Sequence, residues 1–329
     1  MVRAGGTLGW VMERRWRPDG PVDVRLVLAA HRRGSGDPAW RATPDGTVWR
    51  TSRTPEGPVT LRVTVSAAER TVTGTAWGPG AGRTLEELPA LLGAADDVSG
   101  FEGLLGAFRH RAEASQAPAA GQAGILVREL AKRYGGLRIG RTGRVFEALV
   151  PAVLEQKVVG REAWRAWRWL LGRYGDAAPG PAPDGMRVTP APEVWRRVPS
   201  WDWHRAGAEA VRARTIVNAA RYADRLEAAA TSAEADRLLR ALPGIGVWTS
   251  AEIRQRSYGD ADAVSVGDYH LPSLVGWALT GERTDDAGML RLLAPYLGHR
   301  HRVTRLLELS GRRPPARGPR MPARDYRAF

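Results

Sequence analysis

Between Leu242 and Tyr269 the chain gathers residue types that can grip a phosphate, stack on a ring and supply a carboxylate. In Leu242-Pro243-Gly244-Ile245-Gly246-Val247-Trp248-Thr249, Pro243 biases Leu242 away from the α region, so a helix over Ala235 to Leu242 should stop there. Gly244 and Gly246 can take positive φ and, lacking side chains, let another backbone come close. A second helix from Val247 to Arg256 then points its first amides, and the positive end of its dipole, into the turn. That geometry binds a phosphate, which makes Gly244, Ile245, Gly246, Trp248 and Thr249 candidate phosphate contacts. The plainer reading of such a turn is a helical corner without a ligand. Trp248 can stack on a ring or simply pack its helix. Glu252, four residues on, faces the same way and reads as an acceptor for a ligand amine or as a solvated surface residue. Asp268, in Val266-Gly267-Asp268-Tyr269, offers a carboxylate. It also stands where a helix beginning at Tyr269 would take its N-cap.

Composition favours a polyanionic partner. The 329 residues carry Lys+Arg 49 against Asp+Glu 35, a net charge of +14. Lys132 and Lys157 are the only lysines, an arginine bias that a GC-rich genome would also produce. The absence of cysteine excludes disulfides, thiolate zinc sites and iron–sulfur clusters. His299-Arg300-His301-Arg302 reads as a basic face, with His299, Arg300 and Arg302 as candidate phosphate contacts. Its two histidines lack carboxylates at ligand spacing, so no metal site is expected. With no apolar run of membrane-spanning length, a cytoplasmic protein is the expectation.

The elements that must position these residues fall into two regions. Residues 21–77 alternate as strands do: Val22, Val24, Leu26 and Leu28 share one face, as do Leu61, Val63 and Val65, with turns at Pro44-Asp45-Gly46 and Pro55-Glu56-Gly57. Thr84 and Glu87 form a capping-box pattern for a helix reaching about Leu92. The expectation is an α+β domain over 1–110. An Ala, Gln, Ser, Pro and Gly stretch over 111–123 reads as a linker or a frayed helix end, and a helical domain follows over 124–311. There Phe146, Leu149, Val150, Val153 and Leu154 make one buried helical stripe, and Trp164, Trp167 and Leu171 another. Residues 312–329 read as a basic, disordered tail.

Three segments in this order resemble the helix-hairpin-helix (HhH-GPD) DNA glycosylases of the AlkA type, the 3-methyladenine DNA glycosylase II family. They are Phe146 to Val158, ending in a Leu-x-Gln-x-Val pattern, the hairpin Leu242 to Thr249, and Val266 to Tyr269. The resemblance spans about Trp16 to Gly311 and implies an enzyme that flips a damaged base out of double-stranded DNA. Cleaving the N-glycosidic bond builds positive charge on the sugar, and the resemblance assigns Asp268 the carboxylate that stabilises it. Lyase members carry a lysine at the position of Trp248; without an amine, the implied enzyme is monofunctional. Trp248, Glu252 and Tyr269 would line the base pocket, and Gln156 and Lys157 would be the wedge that fills the vacated stack. The resemblance also implies a monomer, no cofactor beyond a monovalent cation at the hairpin when DNA is bound, and alkylated purines such as 3-methyladenine or 7-methylguanine as substrates. Glu252, where the family often has an aromatic, and Lys157, where its best-known wedge is apolar, are departures. They keep open a non-catalytic lesion-sensing protein and a glycosylase for deaminated or oxidised bases.

Overall fold

The computed structural model describes residues 11–114 and 118–315, with 108–114 and 118–121 given as backbone alone. Strands β1 (Val11–Trp16), β2 (Trp40–Ala42), β3 (Val48–Thr54), β4 (Gly57–Ser66) and β5 (Thr71–Trp77) form an antiparallel sheet in the order β1-β5-β4-β3-β2. The turn at Pro55-Glu56 pairs Thr54 with Gly57, whose φ of 131° suits glycine. Alternation along β4 buries Val59, Leu61 and Val63, while Val65 emerges into solvent near the strand end.

The alternating run Val22 to Leu28 is not a strand. It forms helix α1 (Val24–Ala29), because Asp23 Oδ1 accepts from Leu26 N at 2.9 Å and caps it, and Val24, Val27 and Leu28 then share the buried face. Nor is Thr84 a cap. It lies inside α2 (Ala81–Glu86), which begins after Gly80, and a short α3 (Leu88–Leu91) continues to the expected end. Glu87 instead pairs with Arg83 and Arg144. Leu85, Leu88, Leu91 and Leu92 close the core of the sheet.

Stretch 111–123 is not a linker in its described part: α4 (Ser99–Ala114) and α5 (Pro118–Arg133) run through it, and 115–117 lie outside the described residues. Alanine and glutamine are good helix formers, and Pro118 opens a helix at a position that needs no N–H. Helix α4 does not belong to the sheet's core either. Phe101 and Leu105 pack with Val127 and Leu130 of α5, and with Val275, Met289 and Leu307 of α14 (Leu271–Thr280), α15 (Asp286–Leu293) and α16 (Arg300–Leu309).

The other helical lobe surrounds α6 (Val145–Leu154), whose expected stripe is buried. No side chain of its own caps α6. Glu227, in α11 (Ala223–Glu227), accepts from the amides of Val145 and Phe146 at 2.9 and 2.7 Å. Around α6 pack α7 (Gly160–Tyr174), α8 (Pro192–Arg197), α9 (Ser200–Ala206), α10 (Ala210–Ala219), α12 (Ser232–Arg240) and α13 (Val247–Ser257). Trp167 and Leu171 are buried, and Trp164 is half-buried against them. Arg50 and Ser52 of β3 bond to Glu147 of α6, and Arg33 pairs with Glu155 at 3.1 Å, so the sheet is fixed against this lobe. Of the basic tail, 312–315 are irregular and 316–329 lie outside the described residues, as do 1–10. Among the described residues no helix is long and apolar enough to cross a membrane.

Two histidines tie stability to pH. Burial first, then the guanidiniums of Arg50, Arg256 and Arg33, push His31 well below 6.5; burial, Arg305, Arg256 and Arg302 do the same to His301. Their folded forms refuse protons that the unfolded chain accepts. Their contribution is therefore full above the unfolded value and lost as pH falls below it, at up to roughly 1.4 kcal/mol per pH unit for each histidine. Thermal melts should fall between pH about 6.5 and 5, and His31→Gln/His301→Gln should flatten that slope; an unchanged slope would contradict the assignment.

Candidate active site

The glycine corner joins α12 to α13. Ile245 N donates to Leu242 O at 3.1 Å, closing the turn, and Gly244 takes φ 87°. A Cβ on Gly244 would stand 2.2 Å from Thr215 Oγ1, so α10 packs where only glycine fits. Gly246 differs: it is extended, φ −97° and ψ −172°, and a Cβ there would meet nothing within 4 Å. It caps α13, and its carbonyl accepts from Ser250 N at 3.0 Å. The amides of Val247, Trp248 and Thr249 precede that first bond and have no carbonyl partner within the helix. With Gly244, Gly246 and Val247 exposed, this corner is open to an anion. One candidate contact is corrected: the Ile245 side chain is buried and its amide is spent on the turn, whereas Thr249, its side chain buried too, keeps only its amide for an anion.

Gln156 follows the last turn of α6 and reaches the corner. Its Nε2 donates to Gly244 O at 2.9 Å and to Thr249 Oγ1 at 2.8 Å. In this structure it is a clamp on the hairpin, not a free wedge. Lys157 is exposed beside it at φ 54°, a left-handed conformation that costs a residue with a Cβ about 1 kcal/mol or more. The turn between α6 and α7 holds that strain at one of the two residues expected to form a wedge.

Asp268 lies in the other lobe, before α14. Its Oδ1 accepts from His270 N at 2.7 Å and Leu271 N at 2.9 Å, so it holds the amides that open that helix, but the helix begins two residues later than expected and His270, not Asp268, stands at its N-cap. Its Oδ2 accepts from Trp248 Nε1 at 3.0 Å. One half-buried carboxylate thus faces the start of α14 on one side and the hairpin helix on the other. Tyr269 is not in a pocket: it is 83% exposed and stacks edge-on against His270 at 4.8 Å.

Glu252 is not solvated. Its side chain is 15% exposed, Oε1 accepts from Ser265 Oγ at 2.5 Å, and Oε2 pairs with Arg256 Nη1 at 2.9 Å. Burial pushes its carboxyl up, but Arg256, the Ser265 hydroxyl and Arg33 outweigh it and leave the group below its usual value. It is an ionised acceptor and no proton donor. Sequence reasoning missed Arg256 and Ser265; continuing from Trp248 through Glu252 by another four residues reaches Arg256 on the same helix face.

The basic run of α16 is already engaged inside the lobe. Arg302 is 2% exposed and ion-paired with Asp96, and Arg300 pairs with Asp262 at 2.6 Å. His299 packs on Phe101 at 5.2 Å, with Arg302 Nε donating to its Nδ1. These side chains are struts within the lobe.

No protein-family model matches the chain, and no curated protein matches it in sequence. Solved structures do match in shape. A 3-methyladenine DNA glycosylase from Archaeoglobus fulgidus aligns with TM-score 0.70 at 17% identity, covering 90% of this chain and 97% of that one. The 8-oxoguanine glycosylase/lyase of Clostridium acetobutylicum, in its apo form, aligns with TM-score 0.64 at 10% identity, covering 92% and 98%. The same enzyme in complex with double-stranded DNA containing cytosine opposite 8-oxoG gives 0.63 at 11%, with the same coverage. The chain has the fold of the helix-hairpin-helix DNA glycosylases.

Within this helix-hairpin-helix fold the two glycines of the corner should respond differently. Gly244→Ala should lower stability by about 1–3 kcal/mol, through its left-handed φ and the Thr215 contact. Gly246→Ala should melt like the wild type, and Gly246→Asp should fold but bind duplex DNA several-fold more weakly at matched low salt. Unchanged affinity for Gly246→Asp would remove the phosphate reading of the corner.

Proposed function

We propose that the protein is a monofunctional DNA glycosylase that removes alkylated purines, such as 3-methyladenine and 7-methylguanine, from double-stranded DNA in the cytoplasm. The observation that carries this reading is the 3.0 Å hydrogen bond from Trp248 Nε1 to Asp268 Oδ2, which puts a carboxylate and an aromatic side chain at the meeting of the two helical lobes. The amides at Gly246, Val247 and Trp248, at the open corner, take the phosphate beside the lesion. Main-chain carbonyls at the same corner keep unused lone pairs and suit a monovalent cation bridging to that phosphate. Lys157, on its strained turn, fills the gap left when the base is extruded.

As the glycosidic bond stretches, positive charge develops on the sugar. Asp268, already oriented by His270 N, Leu271 N and Trp248 Nε1, stabilises that charge without reorganising and orients the water that attacks the anomeric carbon. Trp248 has no amine to form a Schiff base, so the product is an abasic site with an intact strand. Glu252, held ionised, supplies no proton to the departing base. This favours substrates that leave without one, and a cationic alkylated purine does. It also weighs against a glycosylase for neutral deaminated or oxidised bases. A purely lesion-sensing protein would need Asp268 only to hold the start of α14 and the Trp248 indole.

Duplex DNA carrying 7-methylguanine, incubated with protein as a monomer and treated with hot alkali, should break at the lesion. Asp268→Asn should lose about 10²–10³-fold in rate while binding the same duplex as well. Equal binding with no release by either protein would favour the non-catalytic reading, and strand breaks before alkali would contradict the absence of lyase activity.

A further inference from the structure

The face of α13 that starts at Trp248 continues inward through Glu252 to Arg256, one helical turn apart at each step. The two deeper residues form an ion pair that leaves hydrogen-bonding capacity over. Glu252 Oε1 accepts one bond, from Ser265, and Oε2 one, from Arg256 Nη1, so each carboxylate oxygen keeps a lone pair. Arg256 donates from Nε to Ala30 O at 2.9 Å and from Nη1 to Glu252 O at 2.7 Å, while its Nη2 has no hydrogen-bond acceptor among the described residues. Neither group is sealed: the side chains are 15% and 17% exposed. The carboxyl is held ionised by Arg256, Ser265 and Arg33 against the upward push of burial. Ser265 also accepts, through its carbonyl, from Asp268 N at 3.2 Å, so the same turn holds both carboxylates at the junction.

We infer that Glu252 and Arg256 together read the base, and that they select a guanine edge over an adenine edge. This rests on the glycosylase reading above. An alkylguanine presents, side by side, one acceptor oxygen and two donors, the ring N1–H and the exocyclic amine. A carboxylate with a free lone pair on each oxygen takes the two donors in a bidentate pair, and the neighbouring guanidinium Nη2 donates to the oxygen. An adenine edge has a single donor beside an unprotonated ring nitrogen. It can satisfy one carboxylate oxygen, and it leaves the other, or Nη2, facing an unmatched group. The aromatic at Trp248 is indifferent to this choice. The departure at Glu252 from the family's frequent aromatic therefore acts as a selector between purines.

The test uses the full chain and duplex DNA methylated by a simple alkylating agent, with released 7-methylguanine and 3-methyladenine separated by chromatography. Glu252→Gln is isosteric and keeps an acceptor for Ser265, but it loses the paired acceptors. It should lower 7-methylguanine release about tenfold or more while 3-methyladenine release changes less than about threefold. In the wild type, free 7-methylguanine should inhibit at about tenfold lower concentration than free 3-methyladenine, a measurement that needs no variant. Equal losses for both bases, or equal inhibition by both, would overturn the selector while leaving the glycosylase intact. If the wild type releases neither base, the proposed function fails, and the selector fails with it.

Discussion

The hydrogen bond from Trp248 Nε1 to Asp268 Oδ2 is the constraint on which the site depends, because its two ends belong to different lobes. Trp248 starts the hairpin helix, whose position is set by the core around α6. Asp268 precedes α14, which is set by the core shared with α4, α5, α15 and α16. A carboxylate used for electrostatic stabilisation must be aimed before the charge appears, since reorienting it during bond cleavage would return part of the gain. Here the aiming is done by two amides of α14 and one indole N–H, from opposite sides. Holding the amides at a helix start and serving the proposed reaction centre are compatible roles for Asp268, and the first would make the second rigid.

The same logic runs through the surrounding shell. The glycine corner is held by Thr215 packed against Gly244 and by the Gln156 clamp, so the amides that would meet a phosphate are fixed before DNA arrives. The turn carrying Gln156 and Lys157 is anchored by Arg212 Nη1 donating to Gln156 O at 3.0 Å. The N-terminal sheet takes part as well. Arg33 reaches Glu155, and Ala30 O takes the Nε of Arg256, so the loop after α1 closes the inner end of the face that begins at Trp248. The sheet domain is thereby a wall of the site and not merely an appendage.

What the sequence made legible was local. The hairpin, the α6 stripe, the antiparallel sheet and Asp268 beside a helix start follow from turn chemistry and periodicity acting over a few residues. The failures share one cause, competition from contacts or signals that local pattern does not weigh. Val22 to Leu28 satisfies both a period of two and a helical face, and the Asp23 cap decides for the helix. Arg302 sits in a basic run that reads as surface, yet Asp96, 206 residues away, buries it. Glu252 reads as solvated until Ser265, Arg256 and Arg33 are placed around it, and its charge state is a property of that neighbourhood. Gln156 was visible as a member of the wedge pattern; its grip on the hairpin depends on two atoms 88 and 93 residues ahead.

The most direct measurement is a crystal structure with duplex DNA carrying an alkylated purine nucleotide whose glycosidic bond is stabilised against cleavage. The account predicts the base out of the stack against Trp248, a phosphate on the amides of Gly246 to Trp248, and the anomeric carbon about 3–4 Å from an Asp268 carboxylate oxygen. A base still stacked in the duplex, or a sugar seated away from Asp268 with the Trp248 bond untouched, would contradict it.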